Sequence, residues 1–367
     1  MQEKNSGQKI EALIDKGNFK KALLILKACR LSHKGRGEGE ELILAESEYY
    51  FLLAECYRGL GFFDTAIKHY SAVRGQSTGV SPERSIQTLL RLAACHRALG
   101  NSRKALFFAE KAFSESLESR LIVSDARLEL ALAYRLKGDF KKAEKELKTL
   151  LKIYSKEKDL SALSFVLWAL GGVYRLEGRH KESIAAFKTS IKHGLKTGDK
   201  ISSGYSMFGL AGVMRIAGFI DKSEYYYRKA RDIFSKTQDI FGKAYSECGL
   251  ANALRQKGLL QEALKRYAKA HRLYSLIRDR ADLGFVEWGT GEILKKQGKL
   301  REALKHFIKA LNLFKNKSEI RGEILAEISI AQILYLLGNP RQADGVYFKA
   351  VKKARKRKLR AYIETFT

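Results

Sequence analysis

Glycine recurs along this chain at an almost constant interval, and this is the feature that most limits how the chain can fold. The nine positions are Gly17, Gly61, Gly100, Gly138, Gly178, Gly218, Gly258, Gly298 and Gly338, and the last five intervals are each 40 residues long. A period of this length is typical of a solenoid, in which a two-helix unit is repeated and each copy packs on its neighbours. The 367 residues are therefore predicted to form one continuous stack.

Other residue types repeat in register with the glycines. The residue five positions after each glycine is small, which allows two helices to approach to about 8–10 Å. These residues are Ala22, Ala66, Ala105, Ala143, Ser183, Ser223, Ala263, Ala303 and Ala343. A large residue stands nine positions after most of the glycines, at Leu26, Tyr70, Leu147, Phe187, Tyr227, Tyr267, Phe307 and Tyr347. The pattern predicts a first helix before each glycine and a second helix after it, with the glycine as a left-handed cap between them.

This order of residues resembles the tetratricopeptide repeat. The pattern Leu-[Gly/Ala]-x-x-[Tyr/Leu]-x-x-x-Gly-x-x-x-x-Ala-x-x-x-[Tyr/Phe]-x-x-Ala is visible in eight units, and the unit around Gly17 is a degenerate ninth. The period exceeds the usual length of about 34 residues and is similar to the variety found in scaffold and peptide-sensing proteins. The resemblance implies an all-α, right-handed superhelical solenoid of about nine helix-turn-helix repeats. It also implies that the first helices line a concave groove.

The register divides the chain into three regions. Residues 1–42 form the degenerate repeat with a glycine-rich loop at 33–41, residues 43–358 form the repeat array, and residues 359–367 form a C-terminal tail. A second loop is predicted at 74–82. The glycines of the first loop follow no predicted strand, so we interpret them as a flexible connection and not as a phosphate-binding loop.

A second stripe runs along the first helices, separate from the residues that build the core. Steps of three and four residues along a helix stay on one face. The stripe begins with a cation three residues before most of the glycines, at Arg58, Arg97, Arg135, Arg175, Arg215, Arg255 and Lys295. In four units it continues back to Phe165 and Trp168, Tyr205 and Phe208, Tyr245 and Asn252, and Phe285 and Trp288. The resemblance to tetratricopeptide repeats implies that this first-helix stripe faces the groove.

Two interpretations of the stripe remain open. The guanidinium fork binds carboxylates and stacks on aromatic rings, which suits an acidic, extended peptide. Alternatively, a cation in the last turn of a helix is favoured by the helix dipole by roughly 0.3–1 kcal/mol, and duplication would copy it without any ligand. The aromatic rings could equally pack on the neighbouring repeat.

The charge of the chain is strongly positive, +29 from 69 basic and 40 acidic residues, and residues 161–367 carry 40 of the former and 19 of the latter. Such a field attracts acidic proteins, nucleic acid and anionic lipid alike. The leading hypothesis is a non-enzymatic scaffold that binds an acidic or extended segment of a partner protein. The alternatives are a helical-repeat protein that binds nucleic acid and a peptide-sensing regulator. The basic run from Lys349 to Arg360 is interpreted as the solvated face of the last helix.

No motif for enzymatic chemistry stands out, so we expect no catalytic activity, cofactor or metal site. The cysteines Cys29, Cys56, Cys95 and Cys248 form no CxxC pair, and we interpret them as reduced, inert thiols of a cytoplasmic protein. His96 stands where tyrosine occurs in other units, which indicates a packed ring and not a ligand. No apolar stretch has the length of a membrane span or the form of a secretory signal.

Overall fold

The computed structural model describes residues 3–32, 45–75, 80–277, 279–317 and 319–356. These residues contain eighteen α-helices and no strand, in agreement with the all-α prediction. The predicted loop at 33–41 and the tail at 359–367 lie outside the described residues, as do residues 76–79 of the predicted loop at 74–82.

The helices form nine pairs, each consisting of a first and a second helix joined at one of the periodic glycines. The first helices are α1 Glu3–Asp15, α3 Glu46–Gly59, α5 Pro82–Ala98, α7 Val123–Lys137, α9 Leu160–Leu176, α11 Lys200–Ile216, α13 Ile240–Gln256, α15 Arg280–Lys296 and α17 Ile320–Leu336. The second helices are α2 Phe19–Ser32, α4 Phe63–Arg74, α6 Ser102–Ser119, α8 Phe140–Glu157, α10 His180–Lys196, α12 Ile220–Ser235, α14 Leu260–Leu276, α16 Leu300–Lys317 and α18 Pro340–Lys356. The predicted helix-turn-helix repeat is therefore the building unit of the fold.

The chain divides into two compact units, Met1–Leu150 and Leu151–Thr367. Within the second unit, α9, α11, α13, α15 and α17 each pack on the paired second helix, and the first four also pack on the next first helix. Among the described residues of this unit, the second helices make no comparable contact with one another. The first helices thus lie closer together than the second helices do.

The periodic glycines have the left-handed backbone conformation that the sequence pattern predicted. All nine have positive φ angles, between 72° and 92°, a region that L side chains rarely adopt. At Gly178, the glycine N–H donates to the Arg175 carbonyl at 3.3 Å and the Arg179 N–H donates to the Tyr174 carbonyl at 2.9 Å. This pair of bonds is the Schellman motif, and it ends the first helix so that the second can begin two residues later.

Four first helices of the second unit begin at an aspartate. The Asp159 carboxylate accepts a hydrogen bond from the Ala162 N–H at 2.9 Å. Equivalent bonds are made by Asp199 at 2.9 Å, Asp239 at 2.8 Å and Asp279 at 3.1 Å. Such a cap satisfies an otherwise unpaired N–H of the first turn and is worth about 1 kcal/mol. The aspartates recur every 40 residues, and together with the glycines they fix both ends of these first helices.

The core is built by rings of second helices that pack directly on glycines of first helices. Phe187 lies against Gly171 and Gly209, and an added Cβ would come within 2.9 Å and 2.2 Å of its ring, respectively. Tyr227 lies in the same way against Gly249 of the next first helix, α13. The nine small residues of the repeat pattern are also all buried. Close packing of this kind holds successive helix pairs in one register.

A buried carboxylate ties three consecutive helices together in the second unit. Glu287 on α15 contacts the His306 Nδ1 at 2.7 Å and the Lys309 Nζ at 2.6 Å on α16, and the His271 Nε2 at 3.3 Å on α14. Burial acts to raise the pKa of Glu287, but the hydrogen bonds from His306 and Lys309 outweigh it, so the pKa lies below its usual value of 4.5. The folded state therefore favours the ionised carboxylate.

Replacing Glu287 by glutamine is expected to lower stability by about 1 kcal/mol or more at neutral pH, because charge-assisted hydrogen bonds are lost. The pKa of Glu287 is lower in the folded state than in the unfolded state. Glu287 therefore stabilises the fold at pH values above its unfolded-state pKa, and this stabilisation is lost as the pH falls through its folded-state pKa. The measurement is the free energy of unfolding of both proteins between about pH 3 and about pH 7. The exposed Glu302→Gln on α16 is the control. A wild-type advantage that persists unchanged at the acid end would contradict this account.

Candidate functional site

The first-helix stripe of the second unit separates into layers of different depth. One layer consists of the aromatic residues that stand thirteen positions before the glycines. In this layer Phe165 is exposed, and Tyr205, Tyr245 and Phe285 are half-buried. Phe165 contacts the half-buried Trp168 at a ring-centroid distance of 5.1 Å. The Tyr205 hydroxyl donates to the Asp239 carboxylate at 2.5 Å. This layer presents partly accessible aromatic surface in four successive repeats.

Two stripe residues lie in the core and not on this accessible surface. Phe208 is 3% exposed and stacks on Phe234 at 4.9 Å. Trp288 is 6% exposed, and its indole N–H donates to the Ser329 hydroxyl at 2.9 Å. The burial of these two rings results from packing between repeats, which cannot be predicted from the spacing of residues within one helix.

Three cations of the stripe in the first unit are already engaged. Arg58 pairs with Glu55 at 2.7 Å, and the same carboxylate accepts from the Tyr70 hydroxyl. Arg97 pairs with Glu129 on the next first helix at 2.9 Å. Arg135 is half-buried and likewise has an interaction partner. Arg97 therefore joins two first helices, whereas Arg58 pairs within its own helix.

Two cations near the end of the stripe are also engaged. Lys295 contacts Glu292 at 2.9 Å and Gln332 on the next first helix at 2.8 Å. Arg255 is buried, its guanidinium carbon lies 5.0 Å from the centroid of the Trp288 ring, and its Nε donates to the Tyr267 hydroxyl at 3.4 Å. Both side chains are therefore held by contacts within the repeat stack.

Arg175 and Arg215 differ from the other cations of the stripe. Both are half-buried. No hydrogen bond or ion pair joins either guanidinium group to the residues described, and the Nε atom of each is buried without a partner. The Nη1 of Arg175 reaches the next first helix, where it would lie 3.1 Å from a Cβ on Gly212. Two adjacent repeats therefore carry guanidinium groups that nothing in the described chain neutralises.

The residue six positions before the glycine separates three of the engaged cations from these two arginines. It is Glu55, Asn252 or Glu292 in the repeats of Arg58, Arg255 and Lys295, and it is Gly172 or Gly212 in the repeats of Arg175 and Arg215. In the repeats of Arg97 and Arg135 the apolar Ala94 and Leu132 stand there, and Arg97 takes its partner Glu129 from the next first helix. In the repeat of Arg255, the Asn252 carbonyl oxygen accepts from the Tyr267 hydroxyl at 2.8 Å. A glycine at this position removes the polar side chain that would otherwise lie beside the guanidinium group.

Tyrosine hydroxyls of the second helices also reach this face, and the first-helix stripe did not predict them. Tyr70 and Tyr267 contact the polar residue of the stripe in their own repeat, and Tyr227 lies near Gly212. Burial raises the pKa of Tyr227, and the positive charges of Arg215 and Arg175 oppose the rise. The sequence does mark these hydroxyls, because some repeats have tyrosine nine residues after the glycine where others have phenylalanine or leucine.

The groups considered for chemistry show no catalytic or metal arrangement within the described residues. These residues contain no cluster of three side chains suited to a metal ion. Burial raises the pKa of the free thiols Cys56, Cys95 and Cys248 to about 12, which keeps them protonated. The buried His96 ring stacks on Phe108 at 5.4 Å, which confirms the predicted packing. No helix in the part of the chain described has the length and apolarity that crossing a membrane requires.

Repeated helix pairs, each joined at a left-handed glycine, define an α-helical repeat protein. The sequence profile of the tetratricopeptide repeat matches residues 45–114, 123–196 and 241–316, which is more than half of the chain. The chain therefore belongs to the tetratricopeptide repeat family. No curated protein sequence matches it.

Several solved structures share the fold at low sequence identity. A Rap protein complexed with Competence and Sporulation Factor is 12% identical, with a TM-score of 0.70 over 99% of both chains. The apo form of the quorum sensor NprR from B. thuringiensis is 12% identical, with a TM-score of 0.62 over 95% of this chain and 98% of that one. The apo form of RapI is 14% identical, with a TM-score of 0.56 over 75% and 99% of the two chains. These similarities establish an all-α repeat solenoid.

Proposed function

We propose that this protein is a non-enzymatic scaffold that binds an extended, acidic segment of a partner protein along the first helices of the second unit. One observation carries the proposal: half-exposed aromatic rings run through successive repeats beside two arginines that have no counter-charge among the described residues. An acidic peptide with apolar side chains satisfies both features, since carboxylates bind guanidinium groups and apolar groups cover aromatic faces.

The spacing of the repeats suits an extended chain. Neighbouring helices pack at about 8–10 Å, and an extended peptide advances about 3.3 Å per residue. Equivalent side chains of adjacent repeats would therefore meet roughly every third residue of the ligand. Because consecutive first helices contact one another and the second helices do not comparably, the proposed binding face is the inner side of the local stack.

A regulatory role is the second candidate. The similar structures include a Rap protein complexed with a competence and sporulation factor and a quorum sensor. This supports an arrangement in which a peptide ligand changes how helix pairs are packed, as expected of a sensor. Compaction on adding a bound peptide, measured by small-angle scattering, is the result expected for a sensor, whereas a passive scaffold keeps its dimensions.

Nucleic-acid binding is less well supported by the same face. Affinity for a phosphate backbone depends on several free cations, whereas five of the seven stripe cations are engaged within the protein. In the described part of the basic C-terminal run, Lys349, Lys352, Arg355 and Lys356 are exposed, but they lie on the second helix α18 and not on the first-helix face. Lys353 pairs with Glu323 and Glu327, at 3.0 Å and 2.8 Å, and residues 357–360 lie outside the described chain.

Charge reversal tests the proposed function directly. The double variant Arg175→Glu and Arg215→Glu should weaken binding of acidic, aromatic peptides from a fluorescent library by more than about tenfold, since each charge-assisted hydrogen bond contributes about 1.5–3 kcal/mol. Fluorescence anisotropy measures the affinity, and circular dichroism checks the helix content. The control is Lys188→Glu with Lys265→Glu, which changes the charge equally at exposed sites on α10 and α14. Equal losses of affinity in both variants would show that the peptides are held only by non-specific electrostatic attraction. If the wild type bound no such peptide, the proposal would be refuted.

A further inference from the structure

We infer that Arg175 and Arg215 together hold a single carboxylate of the bound segment, in front of Gly212. The inference rests on the proposed function, because it assigns one ligand group to one place on the binding face. In this inference the cations of the stripe are not equivalent, and two of them form one specific anion site.

Comparison between repeats identifies the missing chemistry. At the equivalent level of other repeats, an oxygen of the protein lies beside the cation: the Glu55 carboxylate contacts Arg58, and the Glu292 carboxylate contacts Lys295. In the repeat of Arg255 the oxygen is the Tyr267 hydroxyl, which Asn252 holds in place. In the repeats of Arg175 and Arg215 the residue at the position of Glu55, Asn252 and Glu292 is glycine, so no side chain there offers an oxygen to the cation. Tyr227 stands at the position of Tyr267 in the repeat of Arg215, and Phe187 stands there in the repeat of Arg175.

The geometry brings the two guanidinium groups toward a common point. Arg175 extends from α9 to α11 and reaches Gly212, which stands three residues before Arg215 on the same helix. A Cβ on Gly212 would lie 3.1 Å from the Arg175 Nη1 and 3.6 Å from the Tyr227 hydroxyl. Both arginines also act electrostatically on that hydroxyl. The Arg175 guanidinium group and the Tyr227 hydroxyl therefore border the space in front of Gly212. Arg215 stands three residues further along α11, which places it on the same helix face as Gly212.

The unsatisfied Nε atoms point to a ligand and not to a structural role. A buried donor without an acceptor is unfavourable, and two cations close together repel each other. A carboxylate offers two oxygens with about four acceptor positions, enough for two guanidinium groups at once. Arginine is also the side chain best suited to such planar, bidentate binding.

The experiment observes the arginine Nε–Hε groups by ¹⁵N NMR while glutarate is added to the full chain. The signals of Arg175 and Arg215 should shift saturably, and Arg97, paired with Glu129, should not. The variants Arg175→Lys and Arg215→Lys assign the two signals. Uniform shifts of all exposed arginines, or no shift at the two named signals, would overturn the anion site.

A variant that fills the site from within provides the second test. Gly212→Asp places a carboxylate on α11 beside the Arg175 Nη1, which lies 3.1 Å from the added Cβ, and should abolish the response to glutarate. Gly345→Asp on α18, where an added Cβ meets nothing within 4 Å, is the matched control. A Gly212→Asp protein that is folded by circular dichroism and still responds to glutarate would contradict the inference. Inorganic phosphate that shifts the two signals at lower concentration than glutarate would overturn the carboxylate assignment.

Peptide binding separates failure of this inference from failure of the proposed function. If the wild type binds no acidic peptide, the proposed function fails. If the wild type binds such a peptide, changing its acidic residues to amides one at a time should weaken binding roughly tenfold or more at one position only. That loss should vanish in the Gly212→Asp variant. Equal small losses at every acidic residue would show diffuse attraction, and the anion site alone would be rejected.

Discussion

Replacing Phe234 by alanine is expected to destabilise the second unit by about 3–5 kcal/mol, the largest effect among the substitutions considered. The ring is 0% exposed, stacks on Phe208 at 4.9 Å and meets Tyr205 edge-on at 5.0 Å. It also lies against Gly204 and Gly242, where an added Cβ would come within 2.7 Å and 2.2 Å of it. Because these surroundings are helix backbone and large rings, they cannot collapse into the space that alanine would leave.

Thermal and urea unfolding, followed by circular dichroism, measure this effect. The matched control is Phe348→Ala on α18, where the ring is 66% exposed and the expected change is below about 0.5 kcal/mol. Because stacked repeats can unfold in parts, a separate early transition in the Phe234→Ala protein would also agree with the prediction. Equal midpoints for the two variants would show that the ring does not hold the helix pairs together.

Adding a single methyl group at Gly249 is expected to cost about 1–3 kcal/mol, although alanine is the better helix former. The new Cβ would stand 2.0 Å from the Tyr227 Cε1, a distance at which one of the two groups must move. Tyr227 is buried and surrounded by core residues, so the displacement has to pass to the contact between α12 and α13. The expected result is a lower unfolding midpoint and a weaker contact between these repeats.

Gly345→Ala is the control for this substitution. Gly345 lies inside α18, and an added Cβ there meets nothing within 4 Å. The same change should therefore stabilise the protein by up to about 1 kcal/mol through helix propensity alone. Opposite signs for the two alanine variants are the expected result. If Gly249→Ala also stabilised the protein, ring-on-glycine packing would not be what sets the register of the repeats.

These substitutions bear on binding as well as on stability. The rings that pack on glycines fix how far each first helix lies from the next, and that distance sets the spacing of the proposed binding face. Tyr227 takes part in both roles, since it packs on Gly249 and borders the space in front of Gly212. A change in the core of the second unit is therefore expected to alter peptide affinity even without contact with the ligand.

The periodic glycines and the residues in register with them were sufficient to predict the helix pairs. The reason is local: a left-handed cap at Gly178 and an aspartate cap at Asp199 depend on a few consecutive residues, and the sequence displays them directly. The small residues of the second helices follow from the same period. The basic charge, by contrast, indicated several classes of partner and could not separate them.

What the sequence determined by itself is the repeat: where each helix begins and ends, which face is apolar and which family the pattern resembles. Only the tertiary structure decided which stripe residues are accessible and which cations are unpaired. Phe208 and Phe165 occupy the same helix face by spacing, yet one is buried and the other is exposed. Arg97 and Arg175 occupy the same repeat position, yet Arg97 finds Glu129 on the next first helix and Arg175 finds Gly212. Depth and pairing depend on side chains from neighbouring repeats, about 40 residues away in sequence, and intrahelical periodicity carries no information about them.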